Sequence, residues 1–174
     1  MTARYFSRIE SPIGSVLFLG DEDGLVALHL EKKRYGPEKP LDCERNDEVF
    51  AAAREQMAAY FKGELREFDV ALAAAGTPFQ KVVWRALMDI PFGETESYGA
   101  LAKRIGHEGA ARAVGLANGH NPIAIIVPCH RVIGSNGSLT GYGGGIERKK
   151  WLLEHEQRLA PSRARRPAQA SLDW

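Results

Sequence analysis

The sequence predicts an α+β protein in two parts, a strand-led first half and a helical second half. Three observations predict it. Two β-leaning runs around a turn-rich connector lie near the start, a small-residue uncharged stretch interrupts the pattern near residue 75, and helix start and stop signals then recur to about residue 157. At 174 residues, 44% hydrophobic and 26% charged, the chain can bury a core, and its composition excludes disorder, collagen and coiled coil.

Residues 15–19 and 25–30 flank Gly20-Asp21-Glu22-Asp23-Gly24 and read as a hairpin, to which residues 4–9 add a strand. From Asp47 onward, Phe50, Ala53, Met57 and Tyr60/Phe61 recur at helical spacing, with Gly63 as the C-terminal cap. Phe68, Val70 and Leu72 then alternate like a strand. Residues 71–76 read as a linker, which sets an N-terminal α+β domain at 1–75 and a second domain at 76–158.

Thr77 as cap and Pro78 at the first helical position open a helix with Phe79, Val82, Val83, Ala86 and Leu87 on one side, ended by Pro91 and Gly93. Ser97 precedes Tyr98, Leu101, Ala102 and Ile105 in a short helix stopped by Gly106. A second short helix over 110–118 carries Arg112, Val114 and Ala117. Such a pair has the form of a helix-turn-helix, although most helix pairs with short turns bind nothing. The final helix, 146–157, packs through Ile146, Leu152 and Leu153; residues 159–174, with Arg163, Arg165 and Arg166, read as a mobile basic tail.

A net charge of +1 conceals about −4 over 1–75, +3 over 76–158 and +2 over 159–174. A mildly basic second half suits a polyanionic partner, though three surplus charges are common on any surface. No apolar run is long enough to span a bilayer and no secretory h-region follows Arg4 and Arg8, so the expected compartment is the cytoplasm. Cys43 and Cys129 make no disulfide framework, and no CxxC or HxxxH spacing supports a metal.

Residues 123–134 show a buried-strand pattern that ends at Pro128 and presents Cys129 beside His130 and Arg131. The thiolate is the nucleophile, and a neighbouring base or cation raises its fraction. Most free cysteines, however, are small core residues, and composition alone favours that reading here. Consecutive strand residues also point to opposite faces, so His130 must reach the thiol through a turn or a water. Glu156 follows Leu152 and Leu153 at helical spacing, which sets its carboxylate on the apolar face, where it needs a partner. Pairing with His130 would complete a nucleophile, base and orienter; the plainer alternative is a helix-end Glu at the domain rim. His29, His107, His120 and His155 read as surface or satisfied polar groups. Gly141-Tyr142-Gly143-Gly144-Gly145 lacks a phosphate-loop ending; it lets backbone approach something flat, with Tyr142 as a stacking wall, or is a plain glycine loop.

Pro128-Cys129-His130-Arg131-Val132, together with Arg112-Ala113-Val114-Gly115, Asn121-Pro122, Gly141-Tyr142 and Leu152-Leu153-Glu154-His155-Glu156, resembles the O6-alkylguanine-DNA alkyltransferases, also called methylated-DNA-protein-cysteine methyltransferases. The resemblance is strongest over 77–156; earlier, Ser11-Pro12-Ile13-Gly14 and Tyr60-Phe61 are family-like. It implies a ribonuclease-H-like N-terminal domain and a winged-helix-like C-terminal domain whose recognition helix enters the DNA minor groove. By the same resemblance, Cys129 is the alkyl acceptor, His130 its base through a water, Glu156 the group that orients His130, and Asn121 the brace of the intervening turn. Tyr98 pushes on the target phosphate and Arg112 fills the vacated stack, with Ser97, Ala113, Gly115 and Asn118 as further DNA contacts. Tyr142 and Gly143, with the Val127 and Val132 backbones, border the guanine pocket. A base inside a duplex is unreachable, so the implied partner is double-stranded DNA with the alkylated base flipped out.

The implied substrates are O6-alkylguanine and O4-alkylthymine, and the protein is expected to be a monomer that clusters on DNA, with no cofactor, metal or membrane. Gly143 stands where some relatives carry a hydroxyl residue, and the zinc ligands of the animal relatives have no equivalents, so the chain looks like the stand-alone bacterial form. Two other classes compete. A DNA-binding module without chemistry is opposed by Cys129 itself, and a cysteine hydrolase using Cys129, His130 and Glu156 needs an oxyanion hole. Transfers per molecule separate the three: one, none or many.

Overall fold

The structure, a computed structural model, describes residues 3–30 and 42–160. Strands β1 (Tyr5–Ile9), β2 (Val16–Asp21), β3 (Gly24–Leu30) and β4 (Glu44–Arg45) form one sheet in the order β3-β2-β1-β4. Both β1–β2 and β2–β3 pair antiparallel and β1–β4 pairs parallel. The hairpin is tighter than its connector suggests, because β2 continues through Gly20 to Asp21 and β3 resumes at Gly24, with a register shift at Leu19/Gly20. Val16 and Phe18 face the main core, while Leu17 and Leu19 join Cys43 in a smaller cluster.

Helix α1 (Ala51–Lys62) buries Ala53, Met57 and Tyr60, with Phe50 buried at its N-cap, and ends on Gly63 at φ +83, the left-handed cap that glycine adopts without penalty. The strand expected at Phe68, Val70 and Leu72 does not form. Gln56 on α1 takes both the N–H and the carbonyl of Asp69 (2.7 and 2.8 Å), so those groups are unavailable to a ladder. Only a single bridge, Leu25 to Leu72, ties the segment to β3.

Helix α2 (Pro78–Met88) begins with a capping box in which the Thr77 hydroxyl accepts from the Gln80 N–H and the Gln80 side chain accepts from the Thr77 N–H. Val82 is 40% exposed rather than on the inner face; Trp84 is buried instead, its indole N–H reaching the Ala117 carbonyl at 2.9 Å. Helices α3 (Tyr98–Arg104) and α4 (Ala111–Gly119) form the helix pair, Ser97 capping α3 through the Ala100 N–H. Strands β5 (Glu96–Ser97) and β6 (Val132–Ile133) pair parallel, and helix α5 (Ile146–Leu159) closes the described chain.

Helix α5 runs beyond the expected end at residue 157 and takes in Leu159, the start of the expected tail; Ile146 is exposed rather than packed. Residues 161–174, which hold the rest of that tail, lie outside the described residues. One contiguous core runs from Phe18 and Leu28 through Met57, Leu87 and Val114 to Ile123 and Leu152, so the two halves pack on each other. Among the described residues no helix is long and apolar enough to cross a membrane.

Candidate active site

The segment expected to enter the site as a buried strand is instead a braced turn. It is anchored to the sheet, where the Leu28 N–H donates to the Pro122 carbonyl (2.8 Å) and the Ala124 N–H to the Leu28 carbonyl (3.1 Å). Beyond that the chain reverses, with Ile125 at φ +72, a conformation a β-branched residue adopts only when its surroundings hold it there. The brace is Asn121, whose amide donates to the Ile123 and Val127 carbonyls (3.3 and 2.8 Å) while its oxygen accepts from the Ile123 N–H (3.0 Å). Cys129, His130 and Arg131 follow as a single 3-10 turn. Neighbours on such a turn are about 120° apart rather than on opposite faces, which removes the geometric obstacle a strand would impose between thiol and imidazole.

Glu156, fully buried on α5, gathers this turn. Its Oε1 accepts from His130 Nε2 at 2.7 Å, the Tyr60 hydroxyl at 2.8 Å and Arg131 Nη2 at 3.1 Å; its Oε2 accepts from Arg131 Nε at 2.8 Å and the Gly93 N–H at 3.1 Å. Burial works to raise its pKa, but His130, the Arg131 guanidinium and these hydrogen bonds outweigh it and hold the carboxyl well below the usual range. Burial pulls the His130 pKa below its ordinary 6.5, with Glu156 opposing. The imidazole is therefore neutral beside an ionised carboxylate that only accepts, so Nε2 carries the hydrogen and Nδ1 keeps its lone pair. That Nδ1 is buried with no hydrogen-bond partner among the described residues. Arg131 is turned to Glu156 and to the Ile90 carbonyl (2.6 Å).

Cys129 opens onto a cleft of about 340 Å³, its solvent-facing mouth included, lined by His29 and Leu30 of β3, Asn118, Gly119, Asn121, Ala124 and the loop Gly141 to Gly144. Gly144 is required for that wall: a Cβ there would sit 2.7 Å from the Tyr142 ring and 3.1 Å from Leu30. The Tyr142 hydroxyl is buried without a described partner, and burial, then Cys129, pushes its pKa well above 10. Lys149 lies beneath the loop, its ammonium donating to the Val132 and Thr140 carbonyls; burial lowers its pKa to about 8, with Cys129 opposing.

On the helix pair, Arg112 and Ala113 are exposed, and Gly115 backs onto the Tyr98 ring, with room for a Cβ at 3.7 Å. The Tyr98 hydroxyl donates to the Thr140 carbonyl (3.1 Å), and Ser97 uses its oxygen as the α3 cap. Three expected positions are buried. Asn118, expected at the DNA surface, is 2% exposed because it lies on the inner face of α4, where its amide donates to the Cys129 carbonyl at 3.3 Å. Val127 and Val132 are buried, their carbonyls accepting from Asn121 and Lys149.

The sequence reasoning missed Tyr60, Gly93, Lys149, His29 and Leu30. Lys149 carries a findable signal, since it precedes Leu152, Leu153 and Glu156 at helical spacing on α5. The contacts of Tyr60 and Gly93 with Glu156 span 96 and 63 residues, and local periodicity cannot reveal them.

The helix pair has the form of a helix-turn-helix, and the braced turn that follows it carries a cysteine next in sequence to a carboxylate-bound imidazole. Two family profiles match this chain: "6-O-methylguanine DNA methyltransferase, DNA binding domain" over residues 78–158 and "6-O-methylguanine DNA methyltransferase, ribonuclease-like domain" over residues 4–74. The chain belongs to the 6-O-methylguanine DNA methyltransferase family. Methylated-DNA-protein-cysteine methyltransferases of Methanosarcina acetivorans and Mycolicibacterium paratuberculosis are 55% and 54% identical to it, over 87% and 90% of this chain and 97% and 94% of theirs. The crystal structure of Mycobacterium tuberculosis OGT in complex with DNA superposes with a TM-score of 0.85 at 55% identity, covering 90% of this chain and 95% of that one. The ribonuclease-like and DNA-binding parts expected from the sequence are thus both present.

Proposed function

We propose that the protein repairs DNA by moving the alkyl group of an O6-alkylguanine onto Cys129 in one irreversible transfer. The observation that carries the assignment to these residues is the buried Glu156–His130 pair, adjoining Cys129 at the wall of a cleft beside the helix pair. Glu156 fixes the imidazole with Nδ1 unprotonated, and Nδ1 takes the thiol proton through a water. The Cys129 sulfur attacks the alkyl carbon, the carbon–O6 bond breaks with its electron pair going to O6, and the proton ends on guanine N1. The products are unmodified guanine and a thioether. A thioether is a poor leaving group and no second thiol adjoins it, so each molecule reacts once.

Because a base stacked inside a duplex cannot reach a thiol buried at the cleft wall, the alkylated nucleotide must be extruded. In this reading α4 enters the minor groove, Arg112 occupies the gap in the stack, and Tyr98 exchanges its Thr140 contact for the target phosphate; Ser97, Ala113 and Gly115 line the approach. Asn121 holds the turn, and Tyr142 and Gly143 face the base. Residues 76–158 would carry binding and chemistry, and residues 1–75 would support the turn through β3. We further assign a monomer in solution that clusters on DNA, and a cytoplasmic site of action, where free thiols stay reduced. Titration with a duplex containing O6-methylguanine tests the reading: one alkyl group should be transferred per molecule. None would indicate a binding module and many a hydrolase.

A further inference from the structure

Asn118, one of the residues lining the cleft, carries a buried acceptor with no hydrogen-bond partner among the described residues. The residue is 2% exposed, and its amide nitrogen donates to the Cys129 carbonyl at 3.3 Å. A carbonyl only accepts, so this bond fixes which branch of the amide is nitrogen. The other branch, Oδ1, is buried with no hydrogen-bond partner among the described residues, and Asn118 lines the same cleft as Cys129 and Tyr142. Such an acceptor is costly unless something that enters the cleft supplies a donor.

We infer that Asn118 Oδ1 accepts a hydrogen bond from the exocyclic 2-amino group of the extruded base, and so selects guanine over thymine. This rests on the alkyl-transfer reading above. O6-alkylation removes the hydrogen from guanine N1, which leaves the 2-amino group as the base's one N–H donor. An O4-alkylthymine has no N–H on its base at all, so it would bury Oδ1 unpaired. A site that hydrogen-bonds one substrate group discriminates against an analogue lacking it, because its own polar atom is stranded.

The test compares single-turnover rate constants on identical duplexes carrying O6-methylguanine, O6-methylhypoxanthine, which lacks only the 2-amino group, or O4-methylthymine. The wild-type chain should react roughly tenfold faster with the guanine than with the hypoxanthine, and more slowly still with the thymine. Asn118→Ala should bring the guanine-to-hypoxanthine ratio near one. Asn118→Asp loses the donor to Cys129 but keeps an acceptor, so its rates should fall while the ratio persists. Equal wild-type rates on guanine and hypoxanthine, or an Ala variant that keeps the full ratio, or an Asp variant that loses it, would overturn the assignment. Should the Ala variant fail to fold, the wild-type and Asp ratios still decide. If the wild-type protein is alkylated by none of the three duplexes, the alkyl-transfer reading itself has failed; alkylation without discrimination sinks Asn118 alone.

Discussion

Replacing Glu156 by Gln should unfold the molecule at markedly lower temperature, by an amount the five donors around the carboxylate set. Oε1 takes three of them and Oε2 two, so either orientation of a Gln amide turns its NH2 group against at least two N–H or O–H donors. The same change leaves the Arg131 guanidinium, 7% exposed, without its counter-charge. Breaking one partner of a buried ion pair costs about 3–5 kcal/mol, which for a chain of this size corresponds to roughly 6–20 °C in Tm. Differential scanning calorimetry or urea unfolding measures it. The cycle completed with Arg131→Gln and the double variant should show coupling, the double variant losing at least about 1 kcal/mol less than the sum. A Glu156→Gln cost below about 1 kcal/mol, or strict additivity, would refute the view that this carboxylate organises the turn that carries Cys129.

Arg112→Ala should slow repair of duplex DNA strongly yet barely alter reaction of Cys129 with free O6-benzylguanine, which needs no extrusion; equal loss in both assays would mean that Arg112 serves the fold or the thiol. Nitrogen NMR of His130 should show the Nε2–H tautomer and a protonation midpoint below 6.5, since burial outweighs Glu156 there; a midpoint at or above 6.5 would contradict the geometry. The same depression means the unfolded chain takes up a proton near 6.5 that the folded one refuses, so this histidine's contribution should favour folding above that pH and lose ground as the pH falls below it. Gly144→Ala should weaken transfer of every alkyl group, because its Cβ would press on the Tyr142 ring at 2.7 Å, and unchanged rates would show that the loop has slack.

What could be read in advance was whatever is encoded locally. The Thr77-Pro78 start, the Ser97 cap and the Gly63 stop are residue-specific backbone solutions, and the structure has each of them. Elements decided by competition between distant groups carry a local pattern that points elsewhere. The alternation at Phe68, Val70 and Leu72 looks like a strand until Gln56 claims the Asp69 backbone, and residues 123–127 look like one until Asn121 ties the chain into a turn. At the site, Cys129, His130 and Glu156 were legible because a motif carries them. Tyr60, Gly93 and Lys149 were not, since what gives them a role is proximity after folding. Asn118 shows the limit of local reading: its place on α4 suggests the outer DNA surface, yet its register turns it inward to the Cys129 carbonyl.

The most direct test of the central claim is peptide mapping by mass spectrometry after the protein has been exhausted with O6-methylguanine duplex. Cys129 should carry one methyl group on sulfur in every molecule, and Cys43, whose thiol donates to the Ala3 carbonyl at 3.1 Å, should carry none. A methyl group on Cys43, or a Cys129 that stays unmodified while the duplex is repaired, would contradict the account.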